Sequence, residues 1–359
     1  MRPLRFVGMT LLTACLIYAC QAPPGEHRAR FFVFGTVLDV VVREAERQTV
    51  SRAFAEVQQA MQSLHDGLHA WQPGPLTELN EAFRAGIPGE ARGDIETLIR
   101  ASQQMEQASG GRFNAAAGRL VSLWGFHTSQ YPISSPPPSP SEIRDWLAAQ
   151  PSALDIHLDN GMAHSSNRWV QLDFGGIAKG YAVDRAALIL EQHGLDSHLV
   201  NAGGDLKAGG ATPEHPWRVG IRAGGEVVGG LILEQDAAVF TSGSGERFGQ
   251  IEGERYPHIL DPRSGMPVAG LQSVTVLVSA GSGGGWYADA AATALMVAGP
   301  SEWPQVAVDL GLESVMVVLP DGRIEATRSV LKQFEPAQGV RERIREVVLP
   351  RNAGAVNSG

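Results

Sequence analysis

The sequence predicts an α+β fold formed by one large domain. Segments typical of strands and of helices follow one another without regular alternation, which favours α+β over a parallel α/β sheet. Glycine accounts for 42 of the 359 residues and clusters between the predicted strands, as expected of a chain with many turns. Hydrophobic residues make up 43% of the chain, so a sizeable core is available, and no repeat or interior linker divides it.

The N-terminus predicts a targeting signal and a tether that precede the domain. A short basic start is followed by an apolar stretch over 6–18 that is too short to span a bilayer. The stretch leads to Cys20, which follows a small residue as in a bacterial lipobox; Cys15 fits that box more closely by residue type but leaves a shorter apolar stretch. We predict a signal peptide over 1–20, a tether over 21–30, and a lipoprotein on the periplasmic side of the inner membrane. An ordinary cleaved signal is the alternative.

The N-terminal half of the domain, which we place over 31–350, begins with a strand and continues with helices. Phe31–Val42 alternates and contains β-branched residues, so we predict a strand. Apolar residues then recur at intervals of three and four from Val50 to Leu68, which predicts a core-facing helix. Asp94–Ala108 predicts a second helix. Ser141–Ala149 predicts a third, introduced by a capping box with Ser139 as its N-cap.

The C-terminal half is richer in strands. A predicted strand, Trp169–Leu172, leads into a helix over Gly175–His193. The strands predicted after it are His198–Asn201, Trp217–Arg222, Gly230–Glu234, Ala238–Thr241 and Ser273–Ser279. A helix over Tyr287–Val297 follows, and Ser314–Leu319 and Arg323–Thr327 form a hairpin around a Pro-Asp-Gly turn. The last residues, over 351–359, are predicted to be a flexible tail.

The segment LDFGGIAKGYAVDRA, at residues 172–186, suits a phosphate ligand. Asp173 ends the predicted strand, and Gly175 and Gly176 let ligand atoms approach the backbone. The helix start then offers free N–H groups and a partial positive charge next to Lys179. Asp173 and Lys179 are equally compatible with a solvated surface. The segment is not a Walker loop, because Gly180 follows the lysine.

A second segment, Ala288 to Thr293, predicts a site for a hard cation. Asp289 and Thr293 are four residues apart and therefore share one helix face. The carbonyl of Ala292 can join them if the helix is irregular there, and carboxylate, hydroxyl and carbonyl oxygens suit Mg²⁺. A solvated helix face is the alternative. The formal charge of −9 and the absence of a basic run argue against nucleic acid as a partner.

His258 precedes an apolar strand and an Asp-Pro turn. It is either a proton shuttle or orienting donor, or a structural histidine, and its local sequence does not distinguish these roles. Two glycine turns, Asn201–Asp205 and Thr241–Gly243, end strands and predict part of a pocket rim. No Gly-x-Ser-x-Gly elbow is present, which disfavours a serine hydrolase. The residues thus indicate a phosphate-and-cation site without naming the ligand.

Taken together in their order, these motifs resemble the ApbE family, the FAD:protein FMN transferases. The resemblance runs from about Phe31 to Pro336. The matching pieces are Phe34 to Thr36, Leu79-Asn80, Gly111 to Asn114, Leu123 to Phe126, Leu172 to Arg185, Asn201 to Asp205, Thr241 to Gly243, His258 to Gly265, and Ala288 to Leu295.

The resemblance implies a single α+β domain with mixed or antiparallel sheets, packed helices and a deep FAD cleft. It implies a Mg²⁺-dependent enzyme that transfers the FMN moiety of FAD to a threonine hydroxyl of a target flavoprotein and releases AMP. Acceptors in the family are subunits of ion-pumping electron-transport complexes and other exported flavoproteins. The alternatives are a Mg²⁺-dependent FAD pyrophosphatase that yields FMN and AMP, and a non-catalytic FAD-binding lipoprotein.

The resemblance also implies roles for individual residues. Its metal ligands map onto the Gly176 carbonyl, Asp289, the Ala292 carbonyl and Thr293. Its FAD contacts map onto Phe34, Trp71, Arg112, Phe113, Asn114, Asp173, Lys179, His258 and Ile259, and its catalytic groups onto His258, Asp289 and Lys179. The chain departs from the family pattern at Phe34, Trp71 and Asn114, where methionine, tyrosine and aspartate are usual.

Overall fold

The computed structural model describes residues 25–128, 130–133, 135–245, 247–251, 253–279 and 284–351. The predicted signal peptide with Cys15 and Cys20, and the predicted tail beyond Arg351, lie outside the described residues. The tether predicted over 21–30 is too long, because the first strand already begins at Glu26. Within the described part of the chain, none of the helices combines the length and the apolar character that a membrane span requires.

The strands are β1 (Glu26–Val33), β2 (Thr36–Arg43), β3 (Gly89–Glu90), β4 (Ile156–Asp159), β5 (Met162–Ser165), β6 (His198–Ala202), β7 (Asp205–Gly209), β8 (Trp217–Ala223), β9 (Glu226–Leu233), β10 (Ala237–Gly243), β11 (Phe248–Ile251), β12 (Glu254–Pro257), β13 (Leu260–Asp261), β14 (Met266–Pro267), β15 (Ser273–Ser279), β16 (Ser314–Val318), β17 (Ile324–Thr327), β18 (Phe334–Pro336) and β19 (Ile344–Val347). The helices are α1 (Arg47–Leu68), α2 (Pro75–Ala85), α3 (Asp94–Ala108), α4 (Gly118–Leu123), α5 (Pro140–Ala149), α6 (Ala178–Gln192), α7 (Gly284–Asp309) and α8 (Arg328–Leu331).

A nine-stranded sheet organises the fold, with the strand order β1-β2-β6-β7-β10-β15-β16-β17-β19. All neighbours are antiparallel except β17 and β19, so the predicted α+β class is confirmed. The main core lies between this sheet and helices α1, α3, α6 and α7. A second core lies between the sheet and the small antiparallel sheet β18-β9-β8. Strands β15 and β16 read as nearly continuous apolar runs because they are buried on both faces.

Several predicted elements match the structure closely. The helix Asp94–Ala108 and the strand Ser273–Ser279 have the predicted bounds. The capping box at Ser139 is present, since its hydroxyl accepts from the Glu142 N–H and the Glu142 carboxylate accepts from the Ser139 N–H. These elements were predictable because their signals are local.

Two predicted strands are wrong. Phe31–Val42 is not one strand but the hairpin β1–β2, which turns at Phe34 and Gly35. Trp169–Leu172 is not a strand, because apart from one isolated bridge at Gln171 it does not pair with a neighbouring strand. The side chain of Asn80 takes the place of a partner by donating to the Leu172 carbonyl at 3.0 Å and accepting from the Leu172 N–H at 2.7 Å.

The two helices that position the site differ from their predicted bounds. The helix predicted over Gly175–His193 begins at Ala178, and the residues from Gly175 form a turn instead. The helix predicted over Tyr287–Val297 begins earlier, at Gly284, and is interrupted at Gly299, where the backbone angles leave the helical region and a second helical segment continues α7 to Asp309. The helices approach closely at Gly180, where an added Cβ would lie 2.3 Å from the Gly285 carbonyl oxygen. This contact brings the first turn of α6 against the start of α7.

Candidate active site

Lys179, in the first turn of α6, lies between two buried carboxylates. Its Nζ donates to Asp205 at the start of β7 and to Asp289 Oδ1 of α7, the latter at 3.2 Å. The other oxygen of each carboxylate is held by a backbone N–H: Thr241 donates to Asp205 Oδ1 at 2.8 Å, and Gly180 donates to Asp289 Oδ2 at 2.9 Å. Four segments of the chain therefore fix one ion-paired cluster.

The cluster carries an excess of negative charge in a buried place. The carboxylate side chains of Asp205 and Asp289 are only 5% and 3% exposed. Burial raises the pKa of Asp205 to about 6, and the Asp289 charge adds to this rise while Lys179 opposes it. Burial lowers the pKa of Lys179, but the two carboxylates outweigh burial and hold it above its usual value. Two carboxylates and one ammonium group leave one net negative charge in the cluster, which a further cation would offset.

Hard oxygen atoms lie next to this cluster. The Thr293 hydroxyl donates to the Asp289 carbonyl at 3.2 Å and lies 3.2 Å from the Ser242 hydroxyl. A Cβ added to Gly176 would come within 3.4 Å of Thr293 Oγ1 and 3.3 Å of the Phe113 ring, so a side chain there would crowd both. Thr293 thus lies close both to Gly176 and to the backbone of Asp289.

These donors fit Mg²⁺. Among the described residues, no group of three or more His, Cys, Asp or Glu side chains is arranged to hold a metal. A hard ion at Asp289 would therefore depend on the Thr293 hydroxyl, the Gly176 carbonyl and oxygens of the substrate, which is a usual situation for Mg²⁺. The Ala292 carbonyl could join these ligands if the helix were irregular there, but Gly299 is the only residue of α7 with non-helical angles. The Ala292 carbonyl as a ligand stays a prediction.

Asp173 lies in a second polar group, beside the glycine turn. Its Oδ1 accepts from the Gly175 N–H at 2.8 Å, and its carboxylate accepts a hydrogen bond from the Trp71 side chain. Burial raises the pKa of Asp173, although these bonds and the charge of Arg247 oppose the rise. The Trp71 ring lies 5.5 Å from the His127 ring, measured between centroids.

Two histidines of α1 and its C-cap contact the aromatic residues predicted to bind flavin. His65 Nδ1 accepts from the Phe34 N–H at 3.4 Å, and His69 Nδ1 accepts from the Trp71 N–H at 3.1 Å. The two imidazole rings make an edge-on contact at 5.6 Å. Neither histidine stood out in the sequence, because the only sign was their spacing of four residues near the end of a core helix.

His258 has the properties of a neutral base. Its Nδ1 lies 3.1 Å from the Arg247 carbonyl oxygen, to which it donates as a neutral ring, and Nε2 is then the basic nitrogen. Burial, followed by the charge of Arg247, lowers the pKa of His258 to about 4. The neighbouring Ile259 side chain is buried in the main core, and its carbonyl accepts from the Val268 N–H.

The segment Arg112–Asn114 already has protein partners. Arg112 pairs with Glu302 at 2.6 Å, and only its buried Nε has no hydrogen-bond partner among the described residues. The Asn114 amide donates to the Pro151 carbonyl at 2.8 Å, while its Oδ1 accepts from the Ala116 N–H at 2.7 Å. Phe113 is buried beside Gly176. Asn114 therefore has a structural role that its sequence position did not indicate.

Asp205 is the main site residue that sequence reasoning did not single out. It follows the Gly203-Gly204 turn, which the sequence predicted only as part of a pocket rim. The turn is stabilised by the Gly204 N–H, which donates to Asn201 Oδ1 at 2.8 Å. An acid that follows a glycine turn at a strand boundary was the available signal. Its partner Lys179 lies 26 residues earlier in the chain, so no local pattern connected them.

Comparison with known proteins gives consistent results. The sequence model of the ApbE family matches residues 34–316. A Rhodobacter capsulatus protein named FAD:protein FMN transferase is 36% identical over 331 residues; the match covers 92% of this chain but 62% of that protein, less than two thirds of its length. A Treponema pallidum protein of the same name is 27% identical, and the match covers 90% of this chain and 94% of that protein. The crystal structure of the ApbE protein of Thermotoga maritima has a TM-score of 0.74 at 28% identity, and the match covers 86% of this chain and 99% of that one.

Proposed function

Because this chain belongs to the ApbE family, we propose that it is an enzyme that transfers the FMN moiety of FAD to an acceptor protein. The names of its relatives state the donor, FAD, and the transferred group, FMN. The observation that carries the proposal is the buried group of Lys179, Asp205, Asp289 and Thr293 beside the Gly175-Gly176 turn. This arrangement suits a diphosphate that binds together with a metal ion. The lysine can contact phosphate oxygens, the carboxylates favour the cation, and the glycines let the ligand approach the backbone.

The reaction is a phosphoryl transfer in which positioning and electrostatics dominate. A hydroxyl oxygen of the acceptor attacks the phosphorus on the FMN side of the diphosphate, and the bond from that phosphorus to the bridging oxygen breaks. AMP leaves with the bridging oxygen. Lys179 offers a fixed positive charge to the phosphate oxygens, and the neutral His258 Nε2 accepts the hydroxyl proton.

We propose Mg²⁺ as the cofactor, held by the Asp289 carboxylate, the Thr293 hydroxyl and the Gly176 carbonyl. When bound, the ion supplies positive charge against the diphosphate and the leaving AMP. Gly176 is suited to this place because a side chain there would crowd Thr293 and Phe113. The excess negative charge of Asp205 and Asp289 is the physical support for a divalent ion at this position.

The acceptor and the cellular location are further parts of the proposal. We propose a threonine hydroxyl of a flavoprotein as the acceptor, on the resemblance to the ApbE family. We also propose attachment to the inner membrane through a lipid on Cys20, on the periplasmic side. The apolar N-terminal stretch that ends at this cysteine supports the anchor. The deep FAD cleft stays a prediction.

The test is incubation of the protein with FAD, Mg²⁺ and a flavoprotein fragment that carries one candidate threonine. Covalent flavin fluorescence on the fragment, with one AMP released per flavin attached, is the expected result. The matched control replaces that threonine with valine, and a second control replaces Mg²⁺ with EDTA. Free FMN and AMP with an unlabelled fragment would indicate hydrolysis, and unchanged FAD would indicate binding alone. Either result would contradict the proposed transfer.

A further inference from the structure

We propose that His65 and His69 are positioning residues that hold Phe34 and Trp71 in place for FAD, and that His69 releases Trp71 when its imidazole takes up a proton. The inference rests on the proposed function, because it takes FAD as the ligand of these aromatic residues. It adds two residues that touch neither the diphosphate cluster nor the proposed metal ligands. It also predicts that protonation regulates substrate binding.

The backbone of Phe34 is in a conformation that its side chain disfavours. Strands β1 and β2 pair Val33 with Thr36, so Phe34 and Gly35 form a two-residue turn. Both have positive φ, 50° and 70°, which is the geometry that an Asn-Gly turn adopts readily and a phenylalanine does not. The Phe34 N–H donates to His65 Nδ1 at 3.4 Å, with the two rings 6.2 Å apart. We infer that His65 helps to hold this turn.

Trp71 is held at both its backbone and its side chain. Its N–H donates to His69 Nδ1 at 3.1 Å, and its side chain donates to the Asp173 carboxylate. The bond to His69 closes a short turn directly after α1. Without it, the Trp71 ring would lose the backbone restraint that aligns it with Asp173 and the glycine turn.

Both histidines act as acceptors through the same ring atom. A neutral imidazole accepts at Nδ1 only when its proton is on Nε2, and an imidazolium accepts at neither nitrogen. Protonation would therefore set an N–H against the N–H of Phe34 or Trp71. The rings of His65 and His69 are 5.6 Å apart, so two charges there would also repel. Proton uptake by His69 therefore releases the Trp71 backbone.

The charges around His69 set the direction of the pH effect. Burial, and then the neighbouring His65, lower the pKa of His69, while Asp173 acts in the opposite direction. Arg247 faces Asp173, and His127 lies against Trp71. A lowered pKa means that the acceptor form is present above the ordinary imidazole pKa and is lost as the pH falls through the lower value in the folded protein. FAD binding should weaken in acid.

The experiment measures FAD affinity by quenching of flavin fluorescence, in EDTA and without an acceptor protein, between about pH 8 and about pH 5. For the wild type we expect affinity to fall about tenfold over this range. His69→Leu should bind about tenfold more weakly at the upper pH and show a flatter profile. His69→Asn should rescue binding and show a flatter pH profile than the wild type, because Asn Oδ1 accepts from the N–H two residues on and does not titrate.

The chain offers a matched control in a second histidine pair. His157 and His164 stack at 5.9 Å on the exposed hairpin β4–β5, away from the proposed site, so His157→Asn should leave the pH profile unchanged. Thermal unfolding of each variant separates loss of fold from loss of positioning. Nitrogen-15 NMR supplies a readout independent of FAD: His65 and His69 should carry their protons on Nε2 at the upper pH.

Three results would overturn the inference alone. The first is wild-type affinity in both His65→Leu and His69→Leu, and the second is a pH profile of His69→Asn as steep as that of the wild type. A proton on Nδ1 of His69 at the upper pH would also overturn it. By contrast, a wild-type protein that binds no FAD at any pH would overturn the proposed function, and the inference with it.

Discussion

At the scale of single residues, Asp289 has three partners that a surface acid would not have. Its carboxylate binds Lys179 and the Gly180 N–H, and its carbonyl accepts from Thr293. An acid buried in this way serves both the structure and the proposed metal. The two roles can be separated by experiment.

We expect Asp289→Ala to lower Mg²⁺-dependent turnover by about a hundredfold or more, because it removes the only carboxylate proposed for the ion. Steady-state assays over a range of Mg²⁺ concentrations would measure this, and Asp289→Asn would test the charge with little change in shape. The matched control is Asp309→Ala on the same helix, where the acid is exposed and contacts Gln305. Full activity in Asp289→Ala would reject the metal assignment.

Asn114→Asp would restore the residue usual in the family. The structure indicates that this substitution lowers the stability of the fold. A carboxylate can still accept from the Ala116 N–H but cannot donate to the Pro151 carbonyl. We expect the free energy of unfolding to fall by about 1–3 kcal/mol.

Urea unfolding would measure the effect of Asn114→Asp. Asn160→Asp, at an exposed turn where the amide contacts only Asp159, is the control and should change stability little. An unchanged free energy of unfolding in Asn114→Asp would show that the loop at Pro151 adjusts freely.

The pKa of His258 allows a direct test of its proposed role. Because burial and Arg247 lower this pKa to about 4, the ring stays neutral as the pH falls, and its base form is lost only in strong acid. We expect an NMR titration of the His258 ring protons in the free protein to have its midpoint near about 4. A midpoint at or above the ordinary imidazole value of 6.5 would contradict the described burial.

At the scale of elements, the site depends on how closely α6 approaches α7. Gly180 makes this approach possible, because its Cα lies against the backbone of Gly285 and Trp286. The same residue donates its N–H to Asp289. The glycine therefore places Lys179 within reach of the acid on the opposite helix.

We expect Gly180→Ala to lower the free energy of unfolding by about 1–3 kcal/mol or more, since its Cβ would meet backbone atoms that cannot move aside. Mg²⁺-dependent activity should fall with it, as the helices separate. Gly67→Ala is the matched control in helix α1, where an added Cβ meets nothing within 4 Å. It should raise the free energy of unfolding by about 0.5–1 kcal/mol. Equal stability of the two variants would reject the close approach.

At the scale of the whole molecule, the nine-stranded sheet joins the N-terminal and C-terminal parts of the chain. Strand β1 lies at one edge and β19 at the other, so residues near both ends belong to one sheet. The first strand starts at Glu26, which leaves only a short segment between Cys20 and the domain. A lipid on Cys20 would therefore hold the domain near the membrane surface.

We expect Cys20→Ser to abolish incorporation of a labelled fatty acid in cells and to release the protein from the membrane fraction. Cys15→Ser should keep both properties if Cys20 is the modified residue. The two variants are controls for each other, because both cysteines lie in the same N-terminal stretch. Labelling that depends on Cys15 instead would show that Cys15 carries the lipid. Labelling that persists in both variants would exclude a single one of these cysteines as the required attachment site.

The elements whose signals are local could be predicted from the sequence. The periodicity of Asp94–Ala108, the capping box at Ser139 and the apolar run Ser273–Ser279 all gave elements with the observed bounds or nearly so. The ordered motifs also determined the family. These features are readable because neighbouring residues along the chain carry them.

Which polar groups lie in contact could be seen only in the folded structure. Asp289 and Lys179 are 110 residues apart in the sequence. The Asn80 side chain hydrogen-bonds to the backbone of Leu172, which is 92 residues away. Asp205 has a role only because β7 brings it beside α6. The Phe34 turn goes against local preference and is tied to His65, 31 residues later. Burial then shifts the pKa values of these groups, and burial is a property of the folded chain that no local pattern contains.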